Sequence, residues 1–397
     1  MFSRFILTTY KIEQKVFVNS QIPIMRIFFP ILFLLLSFST TCQEYFLFIG
    51  TYSGTGSKGI YVYKFDDSTG KLTWVNNTDK SVVSPSFLTI APTGKFVYAC
   101  TEARIKNAGS VSAFAFNKKS GSLKFINKQP SGGDNPVYLS VNHNNTWLVN
   151  ANYFGGNLSA FPINADGSLQ PFSQLIQHTG KSINPERQEA AHVHSTVFSP
   201  AQDYLLVPDL GIDKIMIYRF DETQQSPLTT TQPAFTNTTS GSGPRHLAFH
   251  PNGRFAYLIE ELSGTVSVYN YHKGTLDSTQ RISTHTDDAS GPFGSADIHL
   301  SPDGRFLYVS NRGKENNITL FSIDDLTGKL NLVGYESTRG EVPRNFTISP
   351  SGNFLLVANE KTGNVIVFKR NKKNGKLEYA GIEISIPQPS CLQFLKN

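Results

Sequence analysis

The sequence predicts an all-β protein: a seven-bladed β-propeller of four-stranded antiparallel blades, its ring closed by a C-terminal strand that joins the first blade. Three observations carry this. A motif recurs about every fifty residues. The recurring segments alternate apolar and polar by two. The first and last units are each incomplete, in complementary ways.

The recurrence is visible by eye. SPDGRFLYVSNRG (301–313), SPSGNFLLVANEKTG (349–363) and HPNGRFAYLIEELSG (250–264) share one template, and APTGKFVYACTEA (91–103) and SPAQDYLLVPDLG (199–211) fit it. Each is followed by a strand-like run such as KIMIYRF, TVSVYNY or NVIVFKR, and then by a turn such as TGKL or NGKL. Aligned on the aromatic after the turn (Phe96, Trp147, Tyr204, Phe255, Phe306, Phe354), the units are spaced 51, 57, 51, 51 and 48 residues apart. That period, with about four short strands per unit, is the mark of a propeller. A helical repeat would need apolar residues three and four apart, and these alternate by two.

The first unit, from Tyr45, lacks a leading strand, whereas PSCLQF (389–394) resembles only a leading strand, as in PSFLTI (85–90). Pairing the two would close the ring and remove the exposed sheet edges an open array would carry. Residues 43–397 are therefore expected to form one propeller domain.

Residues 1–42 differ in kind. From Met25 the chain reads MRIFFPILFLLLSFSTTCQ, a basic residue, an apolar run of about a dozen residues and then small polar residues. This is the layout of a secretory signal and is short for a membrane span. The expectation is cleavage near 41–43, a periplasmic protein, and no stable membrane insertion after the leader is removed. A lipid on Cys42 is the alternative, and a cytoplasmic location follows if the leader is not a signal.

Composition agrees with a folded β protein: 39% hydrophobic, 17% charged and 12% aromatic residues, with 31 glycines. Net charge is +6, but no basic run tracks a phosphate backbone, so nucleic-acid binding is not expected. The nearest, KRNKK (369–373), falls at a hairpin turn. Cys42, Cys100 and Cys391 form no C-x-x-C pair. Buried free thiols are expected, with a Cys100–Cys391 disulfide as the alternative.

Function should lie where a repeated column breaks its residue type. One column, at the start of the leading strands, runs Ser86, Val137, His194, Arg245, Ala296, Arg344, Ser390; apolar residues follow two and four later on the same face. It is read as the rim of the central channel. A second, after the second strands, runs Tyr52, Glu102, Tyr153, Leu210, Glu261, Arg312, Glu360. The column just before that one is polar throughout and is read as turn or blade-to-blade hydrogen bonding. NPERQEAAHVHS (184–195) adds Arg187, His192 and His194, the histidines two apart and so on one face of a strand.

His194, Glu261, Arg245 and Arg312 are the candidate catalytic residues. His192, Arg187, Arg344, Tyr153 and His246 are expected to bind substrate. Several guanidiniums at one mouth suit a carboxylate or phosphate. A histidine beside them can move a proton, and a glutamate facing arginine stays ionised and orients it. A small anionic substrate and a water activated by His194 or Glu261 fit this set. No metal is expected: His192 and His194 are a two-ligand pair, and Asp297 and His299 belong to another unit. No cofactor fingerprint occurs either.

GTYSGTGSKGIYVYKFD, NPERQEAAHVHS, GPRHLAFHPNGRFAYLIEELSGTV and GSADIHLSPDGRFLYVSNRG, with the units between and after them, resemble the seven-bladed propeller lactonases, a family that includes propeller-type 6-phosphogluconolactonases and a carboxymuconate lactonizing enzyme. The resemblance runs from about residue 45 to 395. It implies a lactone site at the propeller mouth in which a histidine, two arginines and a glutamate take part; by motif these fall on His194 (or His192), Arg245, Arg312 and Glu261. Glu260 stands where the family more often has asparagine. The implied activity is lactone hydrolysis, with a lactonizing cycloisomerase or a non-catalytic exported binding propeller as alternatives. An exported protein would not meet a cytosolic sugar phosphate, so a secretion signal implies another lactone.

Overall fold

The computed structural model describes residues 9, 11–15, 43–54 and 56–395. The chain divides into a unit of residues 1–41 and a unit of residues 42–397. The signal-like run from Met25 and Cys42 lie outside the described residues. Among the described residues no helix is long and apolar enough to cross a membrane.

The second unit is built of seven four-stranded antiparallel sheets. Blade 1 takes three strands from residues 44–77 and its innermost strand, Pro389–Leu395, from the end of the chain. That strand pairs antiparallel with Glu44–Thr51, from Phe46 opposite Leu395 to Gly50 opposite Cys391. Blades 2 to 7 follow in chain order over residues 87–130, 136–177, 197–237, 244–283, 295–337 and 343–385. The expected closure is the observed one.

The aligned aromatics open the second strand of blades 2 to 7. Each strand buries both faces because blades pack on blades, and successive clusters share residues from adjacent sheets. The turn between the third and fourth strands of one blade sits on the opening aromatic of the blade before it. Gly328 lies over the Phe255 ring and Gly375 over Phe306; Tyr257 and Tyr308 donate to the carbonyls of the same glycines at 2.9 and 2.7 Å. Blade 4 has no glycine in that turn, and Trp147 of blade 3 donates its indole N–H to Glu222 O at 3.0 Å instead.

The polar column before the second one makes blade-to-blade hydrogen bonds at its asparagines. Asn152, Asn311 and Asn359 donate to the carbonyls of Ser131, Thr284 and Thr338, each at the exit of the preceding blade. Glu260 instead bonds within its own blade, paired with Arg281 and accepting from Ser267, and the Thr101 hydroxyl likewise meets Ser110 and Ser112. Cys100 and Cys391 are free and buried, and burial holds both thiols above their ordinary range, Cys391 at about 12.

One local expectation is corrected. His192 and His194 do not sit on a regular strand. The innermost strand of blade 4 is only Val197–Phe198, and residues 189–196 are irregular apart from a single bridge between Val193 and Asp209. The bridge suffices to keep the backbone extended: His194 N–H donates to Pro208 O and Leu210 N–H to His192 O, both at 3.0 Å. Both imidazoles therefore still emerge on one side.

Gly328 has φ +70° and an added Cβ would stand 2.5 Å from the Phe255 ring, whereas Gly313 has φ +82° with nothing within 4 Å. Gly328→Ala should lower stability by about 2–4 kcal/mol and Gly313→Ala by about 1 kcal/mol, the difference being overpacking added to the backbone strain both share. Denaturant unfolding of the two variants measures it.

Candidate active site

At five of its seven positions the channel-rim column is a β-bulge. Pairing skips Val137 between Pro136 and Tyr138, Arg245 between Pro244 and His246, and Arg344 between Pro343 and Asn345; the register slips likewise at Ala296 and Ser390. An extra residue in one strand leaves the ladder and re-aims its side chain. The proline before it lacks an N–H to lose, so it suits the strand's first position. This is why the first column departs from the alternation around it: those side chains turn toward the axis.

A cavity of about 350 Å³ opens at one mouth of the channel. Of the candidate residues, Tyr153, Arg187, His192, His194, Glu261, Arg312 and Arg344 line it. They come from blades 3, 5, 6 and 7 and from the long connection 178–196, where Asn184 Oδ1 accepts the N–H groups of Glu186 and Arg187 and so fixes the turn that presents Arg187.

Glu261 is the centre. It is 4% exposed, and its carboxylate accepts hydrogen bonds from Arg187 Nη2 at 2.8 Å and Arg245 Nε at 2.9 Å and forms an ion pair with Arg312 Nη2 at 3.1 Å. Burial pushes its pKa up, but Arg312, Arg245, His194 and Arg187 outweigh burial and hold it well below the usual carboxylate range. Burial acts against Arg187 too, and Glu261 and Tyr153 outweigh it, so its pKa is raised.

His194 lies beside this cluster with Nε2 3.9 Å from Glu261 Oε2, too far for a hydrogen bond. Its Nδ1 is buried and has no partner among the described residues. Burial, then the charge of Arg245 and then His246, depress its pKa well below the ordinary histidine value, so the ring is neutral at physiological pH. Tyr153 holds both histidines: its ring stacks on His192 at 4.5 Å and meets His194 edge-on at 5.4 Å. Its hydroxyl is 3.1 Å from Arg187 Nη2. His192 Nδ1 donates to Tyr153 O at 3.0 Å, and Nε2 faces Glu189 at 3.1 Å.

Two expectations are corrected by depth. Arg245 and His246 do not line the cavity; they lie beneath it, in a constriction of about 10 Å³, room for about one water. Arg245 is 2% exposed. Its Nη1 is drawn toward the axis by Ala296 O at 2.5 Å and by His246 at 3.2 Å, while Glu261 caps it from the cavity side. Burial and Arg312 lower its pKa to about 9, still charged at neutral pH. His246 Nδ1 binds Asp297 at 2.8 Å, and burial with Arg245 lowers its pKa to about 4. These two form the floor under Glu261.

The cavity wall also contains Arg104, Asn135 and Phe154, which the column reading missed. Arg104 stands two residues after the second column, in a left-handed turn with φ +62°. It pairs with Glu360 at 2.6 Å and lies over the Tyr52 ring at 3.6 Å. Glu102, a member of that column, turns away to Lys128 and Ser110. Among the described residues no group of His, Cys, Asp and Glu could hold a metal ion.

Fold and site define a seven-bladed propeller with an arginine-rich pocket at one mouth. The family described as "Lactonase, 7-bladed beta-propeller" matches residues 46–394, and the chain belongs to it. It is 37% identical over 349 residues to a 6-phosphogluconolactonase of Formosa agariphila, covering 87% of this chain and 98% of that one. It is 35% identical over 354 residues to the 6-phosphogluconolactonase of Bacillus subtilis, covering 89% and 99%. The solved structure of a periplasmic gluconolactonase from Pseudomonas aeruginosa superposes with a TM-score of 0.85 at 37% identity, over 89% of this chain and 99% of that one.

Glu261→Gln should cost about 3–5 kcal/mol, because it strands the buried charge of Arg245. Adding Arg245→Met should return part of that loss, a coupling read from the double-mutant cycle in denaturant. Acid should destabilise the fold through His246. Its folded pKa is below its unfolded one, so the unfolded chain binds the proton first. The contribution is full above about pH 6.5 and fades toward pH 4, by about 3 kcal/mol. His246→Asn should flatten the unfolding midpoint against pH across that window.

Proposed function

We propose that the protein is a lactone hydrolase that opens a sugar-derived or related anionic lactone to its hydroxy acid. The observation that carries this reading is one buried carboxylate, Glu261, shared by Arg187, Arg245 and Arg312 beside a neutral histidine with an unpartnered ring nitrogen. The names borne by the relatives support hydrolysis over ring closure.

In this reading Glu261 is a positioning residue. Both its oxygens are engaged by arginines, which it holds and orients. His194 takes the proton of a water as the water oxygen adds to the lactone carbonyl carbon. The carbonyl oxygen becomes an oxyanion facing Arg312 and Arg187, whose charge is fixed in place before reaction. Collapse re-forms the carbonyl and breaks the ring C–O bond, and the departing alkoxide receives the proton from His194. The product is a hydroxy acid whose new carboxylate suits the guanidinium fork. Arg245 supplies charge from beneath, and Arg344 and His192 complete the wall.

We also propose that residues 1–42 direct export and that the mature chain begins near Gln43. The signal-like layout from Met25 supports this, and sequencing the N-terminus of the protein from its host tests it.

Opening of δ-lactones, phosphorylated and unphosphorylated, should be measurable with purified protein and should survive EDTA. His194→Ala should lower kcat by about 10²–10⁴-fold, the usual range for loss of a general base, with an unchanged far-UV spectrum. Full activity in that variant would remove His194 as the base, and absence of lactone opening in the wild type would leave a binding propeller as the better reading.

A further inference from the structure

The cavity has a second arginine–carboxylate cluster on the wall formed by blades 7, 1 and 2. Glu360 accepts from Arg104 through both oxygens, at 2.6 and 3.3 Å, and Arg344 Nε lies 3.7 Å away. Tyr52 provides the platform: the guanidinium carbons of Arg104 and Arg344 lie 3.6 and 5.3 Å from its ring centroid. Burial acts against the charges of Glu360 and Arg344, but the pair outweighs it: Arg344 and Arg104 lower Glu360, and Tyr52 and Glu360 raise Arg344.

Hydrolysis of a lactone needs one oxyanion site, and the Glu261 cluster supplies it. The second cluster is not needed for that step, yet it opens into the same cavity. Its geometry is also costly. Arg104 is held in a left-handed backbone conformation that a β-substituted residue rarely adopts, by a hydrogen bond from its N–H to Asn135 Oδ1 at 2.9 Å. Its side chain is 45% exposed while its partner Glu360 is 14% exposed. The arginine is thus the accessible member, placed to exchange one oxyanion partner for another, with its plane supported by Tyr52.

Resting on the lactonase reading, we infer that Arg104, with Arg344 and Tyr52, recognises a second oxyanion at the far end of the substrate, a phosphate or a carboxylate. Arg104 is the specificity-determining residue, and Glu360 is the internal anion that occupies it until substrate arrives. Removing the cation and removing its competitor should therefore act in opposite directions.

The test is binding, so that it does not depend on turnover. Gluconate, gluconate 6-phosphate and glucarate carry the same carboxylate at one end and a hydroxyl, a phosphate or a second carboxylate at the other. Titration calorimetry on the full chain should give tighter binding of at least one dianion than of gluconate. Which one it is distinguishes phosphate from carboxylate. Arg104→Gln should reduce that preference at least tenfold, and Glu360→Gln should increase it about threefold or more. Equal affinity for all three acids in the wild type, or a preference that survives Arg104→Gln, overturns the inference. So does a preference that falls in Glu360→Gln. Dianion selectivity in a protein that opens no lactone would leave Arg104 in this role and remove the hydrolase reading instead.

Discussion

The pairing of Pro389–Leu395 with Glu44–Thr51 is the constraint on which the rest depends. It joins residues more than three hundred apart in sequence and turns a row of sheets into a ring. Only in a ring do Arg344 and Glu360 of blade 7 face Tyr52 of blade 1 and Arg104 of blade 2. The mouth is therefore a property of closure as much as of any one blade. The apolar faces that pack blade on blade supply most of the driving force, since burial of such area dominates folding energetics. The polar column fixes how the blades meet at the edges.

Within the ring, electrostatics are arranged by depth. The guanidiniums of Arg104, Arg187, Arg245, Arg312 and Arg344 outnumber Glu261 and Glu360. Buried cations at such density repel, and each is tolerable only with a carboxylate, carbonyl or ring beside it. Glu261 carries most of that burden, which is why it is better suited to hold arginines than to accept a proton. His194 is the complementary case: the cations that keep Glu261 ionised against burial act together with burial to keep the imidazole neutral. A positive cavity with a neutral imidazole fits the anionic lactone proposed as substrate.

Much of this was legible in the sequence. The blade count, the closing strand and the convergence of His194, Glu261 and Arg312 follow from periodicity and from columns that break type. What escaped has physical causes. Alternation by two cannot show a β-bulge, because a bulge is one residue out of register; the prolines before Val137, Arg245 and Arg344 were its trace. Nor can a column report depth, so Arg245 and His246 were placed at the mouth although they lie under Glu261. Arg104 was missed because it is a turn residue just outside the aligned column, and its partner Glu360 is 256 positions away. The extended backbone at His192 and His194 was anticipated, but a single bridge sustains it, not a strand.

The central claim is that the arginine-lined mouth, with Glu261 and His194, is where the ester carbonyl is bound and opened. The most direct measurement is a crystal structure of the protein soaked with a ring-opened sugar acid. The expected result places the acid carboxylate between Arg187 and Arg312, within reach of His194. Binding instead at the opposite mouth, among Tyr45, Phe249, Pro302 and His299, would contradict the account.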